Sequence, residues 1–270
     1  MAGTLYVSSL NIAAVVAALG GSARRFDIDA IAECDSTNSR LLALAEAGAA
    51  SGSVLVSDRQ TVGRGRRGHT WHSAPEDSLT FSVLWRFGPN SSAPTALSLA
   101  VGVALADAMD NLRIDGVMLK WPNDVLHASR KLAGILVELQ PGNTRSAVIG
   151  IGLNLRLPEN LPADVAQTAI GLDALGSRSG REETLAIILA SLARTLDNYA
   201  AGGFAALRET WLSRHAFQNQ SVRITGDGVD SVGTCLGIDQ NGALLVATAS
   251  GLKKIIGGEV SLRAAAGNLP

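Results

Sequence analysis

Apolar positions recur along this chain at two spacings, one near four residues and one near two, and together they divide it into helices and strands. Leu10 to Leu19 is Ala- and Val-rich and reads as a helix packed on a domain. Phe26 to Cys34 reads as a strand leading into a turn at Asp35-Ser36-Thr37-Asn38. Leu41, Leu42, Leu44 and Ala45 follow at helical spacing, and the run stops at Gly48. That is a helix with N-cap candidates at its start and a glycine at its end. Ser53 to Ser57 reads as a buried strand, Thr61 to His72 as a glycine- and arginine-rich loop, and Leu79 to Phe87 as a strand. Ala96 to Leu112 is an Ala/Leu-rich helix, Val117 to Trp121 a strand, and Asp124 to Ser129 holds a turn. Lys131 to Leu139 and Ala147 to Leu155 are two further strands joined by Pro141-Gly142-Asn143. Glu182 to Ala200 and Phe204 to His215 carry helical periodicity.

After Phe217 the pattern changes. Short apolar runs at 221–225, 232–238, 243–247 and 252–256 are separated by Gly, Asp and Asn. This is the pattern of a small β-barrel appended to a mixed α+β domain, with a boundary that gives domains 1–217 and 218–270. The 270 residues allow one large domain or a medium one plus a small one, and 47% hydrophobic with 17% charged residues fits a well-cored globular chain.

A formal net charge of −1 gives no global attraction to nucleic acid or to an anionic membrane, so any charged function is local. Cys34 and Cys235 form no CxxC pair, and His69, His72, His127 and His215 lack zinc-ligand spacing, which argues against a disulfide framework or a structural zinc. A reducing cytoplasm fits best. Leu10 to Leu19 has no Lys or Arg before it and is too short to span a bilayer, so neither a secretory signal nor a membrane anchor is expected.

Four segments carry candidate chemistry. Gly63-Arg64-Gly65-Arg66-Arg67-Gly68 places three arginines in six residues. Glycines let a backbone approach a ligand, and arginine forks bind carboxylate and phosphate oxygens in pairs. Composition alone leaves an anion-binding loop and a solvated basic loop equally open, and no Gly-Lys-Ser/Thr follows to make a P-loop. Lys120-Trp121-Pro122-Asn123-Asp124 is either a site edge or a polar hairpin. Gly150-Ile151-Gly152-Leu153-Asn154 puts two glycines on one face of a strand, for a ligand or for tight packing. Asp35-Ser36-Thr37-Asn38 is a helix cap, and a helix start also receives anions and polar groups.

The order of these segments is more specific than any one of them. Ser36-Thr37-Asn38, Gln60, GRGRRG with Trp71, KWPND, RKLAGILVEL and GIGLN succeed one another over residues 28 to 155, and in this the chain closely resembles the biotin–protein ligase family. The resemblance implies an α+β fold: a mixed-sheet catalytic domain with helices on one side, followed by an SH3-like barrel. It implies an enzyme that forms biotinyl-5′-AMP from biotin and ATP with Mg2+, then passes biotin to a lysine of a biotin carboxyl carrier domain. It also implies site residues. Ser36, Thr37, Asn38 and Gln60 would bind the ureido ring and flanking groups. Arg64, Gly65 and Arg66 would lie along the biotin carboxylate and the phosphate, and Gly134, Gly150 and Gly152 would form the floor of the biotin slot. Lys131 would be the catalytic lysine, assisted by Arg66. Arg67, Trp71, Asn123, Asp124 and Asn154 would serve the nucleotide, with Trp71 stacked near adenine and Asn154 bonded to its edge. Asp124 is also the nearest carboxylate candidate to help a magnesium ion or to orient the incoming amine. His69 stands where the best-known bacterial member has another basic residue.

Three other readings are weighed against this one. A lipoate–protein ligase would share the fold and the type of chemistry, but the GRGRRG and KWPND pair speaks against it. A nucleic-acid module built on the arginine loop would add aromatic stacking faces and a basic charge, against 4% aromatics and −1 here. A dual ligase and repressor would need an N-terminal winged helix, and about 25 residues before the first catalytic strand are too few to form its core. The ligase-only form is expected, with no nucleic-acid partner.

Overall fold

The strand Ser78–Arg86, β3 of the chain, is buried along almost its whole length, and this sets the architecture. A strand covered on both faces must lie inside a sheet that has helices above and below. In the computed structural model, which describes residues 8–88, 94–159, 161–226, 229–256 and 260–265, β3 sits in a sheet of seven strands. The others are β1 (Asp27–Cys34), β2 (Ser53–Gln60), β4 (Val117–Lys120), β5 (Asp124–His127), β6 (Arg130–Gln140) and β7 (Asn143–Asn154), in the order β1-β2-β3-β7-β6-β5-β4. β1 and β2 run parallel through a crossover helix, α2 (Thr37–Glu46). All other neighbouring pairs in this sheet are antiparallel.

Alternate residues of the central strands supply two separate cores. Val54, Val56, Phe81, Val83, Ile149 and Ile151 face α1 (Ile12–Leu19), α3 (Leu97–Asn111) and α5 (Arg181–Gly202). α3 is buried over most of its circumference, because Ala, Val and Gly let it lie close to both the sheet and α5. Leu55, Leu84 and Val148 face the other way, onto Leu41 and Ala45 of α2. The expectation of helices on one side is therefore corrected: α2 covers the opposite face. Its cap explains its position, since Ser36 accepts from the Ser39 N–H and anchors the first turn over the sheet.

Other differences are local. Asp124 to His127 is a strand, and the turn is confined to Ala128 and Ser129, both with positive φ (46° and 63°). Two such residues between antiparallel strands match the right-handed twist of a hairpin. Phe204 to His215 divides into a 3-10 turn, 204–207, and a short helix, α6 (Arg208–Ser213). A one-turn helix, α4 (Ala163–Thr168), lies in a stretch where no element was expected. Leu10 to Leu19 forms α1, with Val15 and Leu19 buried against the domain. Among the described residues no helix is long and apolar enough to cross a membrane.

The C-terminal part is a five-stranded antiparallel sheet of β8 (Ser221–Gly226), β9 (Val229–Ile238), β10 (Leu244–Thr248), β11 (Gly251–Ile255) and β12 (Ser261–Ala264), ordered β11-β10-β9-β8-β12. The four apolar runs became β8 to β11, and β12 had no such run to betray it. The two sheets are tied together. Leu119 on β4 exchanges backbone bonds with Arg214 and Ala216, and the Trp121 indole donates to the Gly242 carbonyl at 3.1 Å. His215 lies at this junction, stacked on Trp211, and burial pulls its imidazole down to about 4 against a hydrogen bond with Gln218.

Candidate active site

The α2 face of the central strands is built from small and polar residues rather than large apolar ones. Paired residues of adjacent strands point the same way, so the register aligns Asp124, Gly134, Gly152, Thr80 and Ser57 in one row across five strands. The neighbouring row contains Leu136, Gly150 and Ser82. Over these rows lies a cavity of about 370 Å³, closed by α2, by the arginine loop and by residues 260–263 of the C-terminal sheet.

The glycines are required by close approach. A Cβ on Gly150 would run into the Asn38 amide, and one on Gly152 into the Trp71 indole. On Gly134 it would come within 3.0 Å of the Lys131 side chain. Asn38 from α2 and Trp71 from the loop therefore rest directly on backbone.

At one end of the cavity the start of α2 forms a closed polar network. The Thr37 N–H and hydroxyl donate to Gln60 Oε1 at 2.7 and 3.1 Å. Ser82 Oγ lies 2.7 Å from Thr37 Oγ1 and 2.5 Å from Asn38 Oδ1. Asn38 Nδ2 donates to Glu138 Oε2 at 2.8 Å, and Arg64 Nη2 reaches the same oxygen at 3.1 Å. Arg64 also donates to Ser39 at 3.1 Å. Helix, loop and β6 thus meet on one carboxylate.

At the other end Asp124 lies between two lysines, with Lys131 Nζ at 2.6 Å and Lys120 Nζ at 3.2 Å. Burial pushes the Asp124 carboxyl up, but the two ammonium groups outweigh it and hold it below the usual carboxylate range. One carboxylate between two cations leaves the local balance positive, and Arg66 and Arg67 of the loop line the same cavity. Lys131 Nζ also lies 5.8 Å from the centre of the Trp71 ring. The arrangement suits a ligand that is anionic at this end and a neutral hydrogen-bonding group at the α2 end.

Ser36, Thr37, Asn38, Gln60, Arg64, Gly65, Arg66, Arg67, Trp71, Asn123, Asp124, Lys131, Gly134, Gly150 and Gly152 all line this one cavity. Asn154 does not. Its amide donates to the carbonyls of Lys131 and Ile170 at 3.1 and 3.2 Å, so its N–H groups hold the Lys131 and Ile170 backbone. Asn123 lines the cavity while its own amide donates to the Ile135 carbonyl at 2.8 Å. Sequence reasoning passed over Thr80, Ser82 and Glu138, and gave Lys120 no role beyond its place in the Lys120–Asp124 segment. Ser78, Thr80 and Ser82 alternate with apolar residues in a strand that is buried on both faces, and that alternation was the available signal. Thr168 and the 260–263 edge are brought in by long-range packing and left no local trace.

The chain's likenesses fit this site. Residues 31–154 match the biotin/lipoate A/B protein ligase family, and residues 217–263 match the biotin protein ligase C-terminal domain. The bifunctional ligase/repressor BirA of Escherichia coli is 36% identical over 234 residues, which is 86% of this chain and 72% of that protein. The biotin–[acetyl-CoA-carboxylase] ligase of Paracoccus denitrificans is 34% identical over 242 residues, covering 85% of this chain and 98% of its own. Among solved structures, the biotin protein ligase of Aquifex aeolicus in complex with biotin and ATP superposes with a TM-score of 0.78 at 30% identity, over 88% of this chain and 99% of that one.

Proposed function

The chain belongs to the biotin–protein ligase family, and from that membership and the charge layout of the cavity we infer how it activates biotin with ATP and transfers it to a lysine of an acceptor protein. The observation that carries the reading is the polarity of one slot: a charge-balanced hydrogen-bond network at the α2 end, where Arg64 pairs with Glu138, and a lysine-rich end 2.6 Å from an ionised Asp124. Biotin has the matching polarity, a ureido ring at one end and a carboxylate at the other. Thr37, Asn38 and Gln60 receive the ring, with Ser36 holding the helix start in place. The arm runs toward Lys131 alongside the Trp71 indole that covers Gly152.

In the first step a biotin carboxylate oxygen attacks the α-phosphorus of ATP and pyrophosphate leaves, giving biotinyl-5′-AMP. Two anions must meet, and cations between them offset their repulsion. Unit charges about 4 Å apart near a protein surface interact by about 4 kcal/mol. In this reading Lys131 and Arg66 supply this with Gly65 beside them, while Arg64 is paired with Glu138 at the α2 end. Arg67, Trp71 and Asn123 lie on the nucleotide side. In the second step the acceptor amine attacks the activated carbonyl, AMP leaves and the amine loses a proton. Asp124 stays ionised at neutral pH and is positioned to accept a hydrogen bond from that amine.

Magnesium belongs to this reading as the counter-ion that ATP brings on its phosphates. Among the described residues no three His, Cys, Asp or Glu gather to hold an ion, and Asp124 is already committed to two lysines, so no step is routed through a protein-bound metal. The acceptor in this reading is the carrier domain of a biotin-dependent carboxylase. The catalytic domain ends at residue 217, and the C-terminal domain, from 218, closes one wall of the slot. The location is cytoplasmic, in keeping with two buried, unpaired cysteines. A lipoate substrate is not favoured, because the Paracoccus relative and the Aquifex complex are both named for biotin.

Incubation with a purified biotin carboxyl carrier domain, biotin and ATP tests the reading. The carrier is expected to gain one biotinyl group on lysine, by mass spectrometry, and to gain none when ATP is omitted. A carrier that takes up lipoate and not biotin would contradict it.

A further inference from the structure

Two buried donors that line the cavity have no hydrogen-bond partner among the described residues: the Thr80 hydroxyl and the Trp71 indole N–H. Both belong to one place. Thr80 is the register partner of Gly152, and the Trp71 indole rests on Gly152. Thr80 is only 4% exposed. A buried hydroxyl without a partner destabilises a fold, so one retained in a binding cavity points to a ligand acceptor. The neighbours on the same strand differ. Ser78 donates to the Ala74 carbonyl and Ser82 bonds the α2 network.

Biotin presents three polar features: the ureido group, the carboxylate and the ring sulfur. The reading above assigns the first to Thr37, Asn38 and Gln60 and the second to Lys131 and Arg66. The thioether sulfur is left, and it is a weak acceptor that only a donor can satisfy. The sheet places Thr80 where that sulfur would lie. Ser82, under the ureido-binding network, is two residues along the same strand face, or about 6.7 Å. Gly134, under Lys131, lies two strands across the row, or about 9.5 Å, with the Trp71 indole seated over Gly152 between them, so the arm runs along that indole to reach Lys131. Thr80 thus stands at the corner where a fused ring, with its ureido edge on Asn38 and its arm toward Lys131, turns its sulfur.

We propose that the Thr80 hydroxyl donates to the ring sulfur of biotin and is a specificity-determining residue of the slot. The inference rests on biotin being the ligand. Trp71 adds a second donor that arrives with the loop, whereas Thr80 is fixed in the sheet.

Desthiobiotin, which has the same ureido group and acid arm but no sulfur, separates this role from a general packing role. Equilibrium binding of both ligands to the wild type, Thr80→Val, Thr80→Ser and Thr80→Ala provides the test. Thr80→Val is expected to weaken biotin by about three- to tenfold and desthiobiotin by less than about twofold. Thr80→Ser restores biotin affinity, and Thr80→Ala, which also removes the hydroxyl, shows the same split between ligands. Equal loss for both ligands, or no loss for either, would overturn the proposal. A wild-type protein that binds neither ligand would instead overturn the ligase reading, and this inference with it.

Discussion

In the proposed reaction Lys131 serves the transition state more than binding. Its ammonium lies over Gly134 and is held at 2.6 Å by Asp124, so its position is fixed before substrate arrives. A fixed cation that meets charge developing at phosphorus acts mainly on the rate. Lys131→Ala is therefore expected to lower the adenylation rate by about 10²- to 10³-fold, the range seen when one preorganised donor is removed, while biotin affinity changes by less than about tenfold. Rapid-quench measurement of adenylate formation beside equilibrium biotin binding checks this. A large rise in the biotin Kd with an intact rate would make Lys131 a binding residue only. Asn154 teaches the opposite lesson. An asparagine at the end of a glycine-bearing strand reads as a ligand contact, yet two backbone carbonyls claim its amide, and only three-dimensional proximity reveals them.

At the scale of elements, the arginine loop is more ordered than its composition suggests. Its stem is a small hairpin, with Gly65 N–H bonded to the His69 carbonyl at 2.7 Å and Trp71 N–H to the Gly63 carbonyl at 2.9 Å. Arg64 ties one side of that stem to Glu138 and Ser39. The tip is different: Arg67 and Gly68 both hold positive φ, and residues 66–68 form only a 3-10 turn. A change on ligand binding is therefore expected at the tip rather than in the bonded stem. Amide hydrogen exchange is expected to slow by about an order of magnitude at residues 66–70 when the adenylate binds, with little change at Gly65 and Trp71. Equal protection with and without ligand would mean a preformed loop and would exclude any gating by it. The elements around this loop were legible where a local rule decided them: α2 from its cap and terminal glycine, β6 and β7 from apolar runs around Pro141-Gly142. β5 was not legible, because a turn of Ala128 and Ser129 lacks the glycine or asparagine that usually marks a two-residue hairpin.

For the molecule as a whole, the site is a product of register. Asp124, Gly134, Gly152 and Thr80 come from four strands and meet because antiparallel pairing aligns them. The sequence order of the motifs pointed to the chemistry, but no spacing along the chain could show that Thr80 shares a row with Asp124. The placement of α2 on the face opposite α3 and α5 creates the roof of the slot, and the C-terminal sheet, tied in by Trp121 to Gly242, closes its side. That the two domains share a wall of the slot was equally beyond a linear reading. The central claim is that this slot makes a mixed anhydride between biotin and AMP before any acceptor arrives. Exchange of labelled pyrophosphate into ATP, with no carrier protein present, reads that step alone. The account predicts exchange that depends on biotin, and pyrophosphate exchange indifferent to biotin would contradict it.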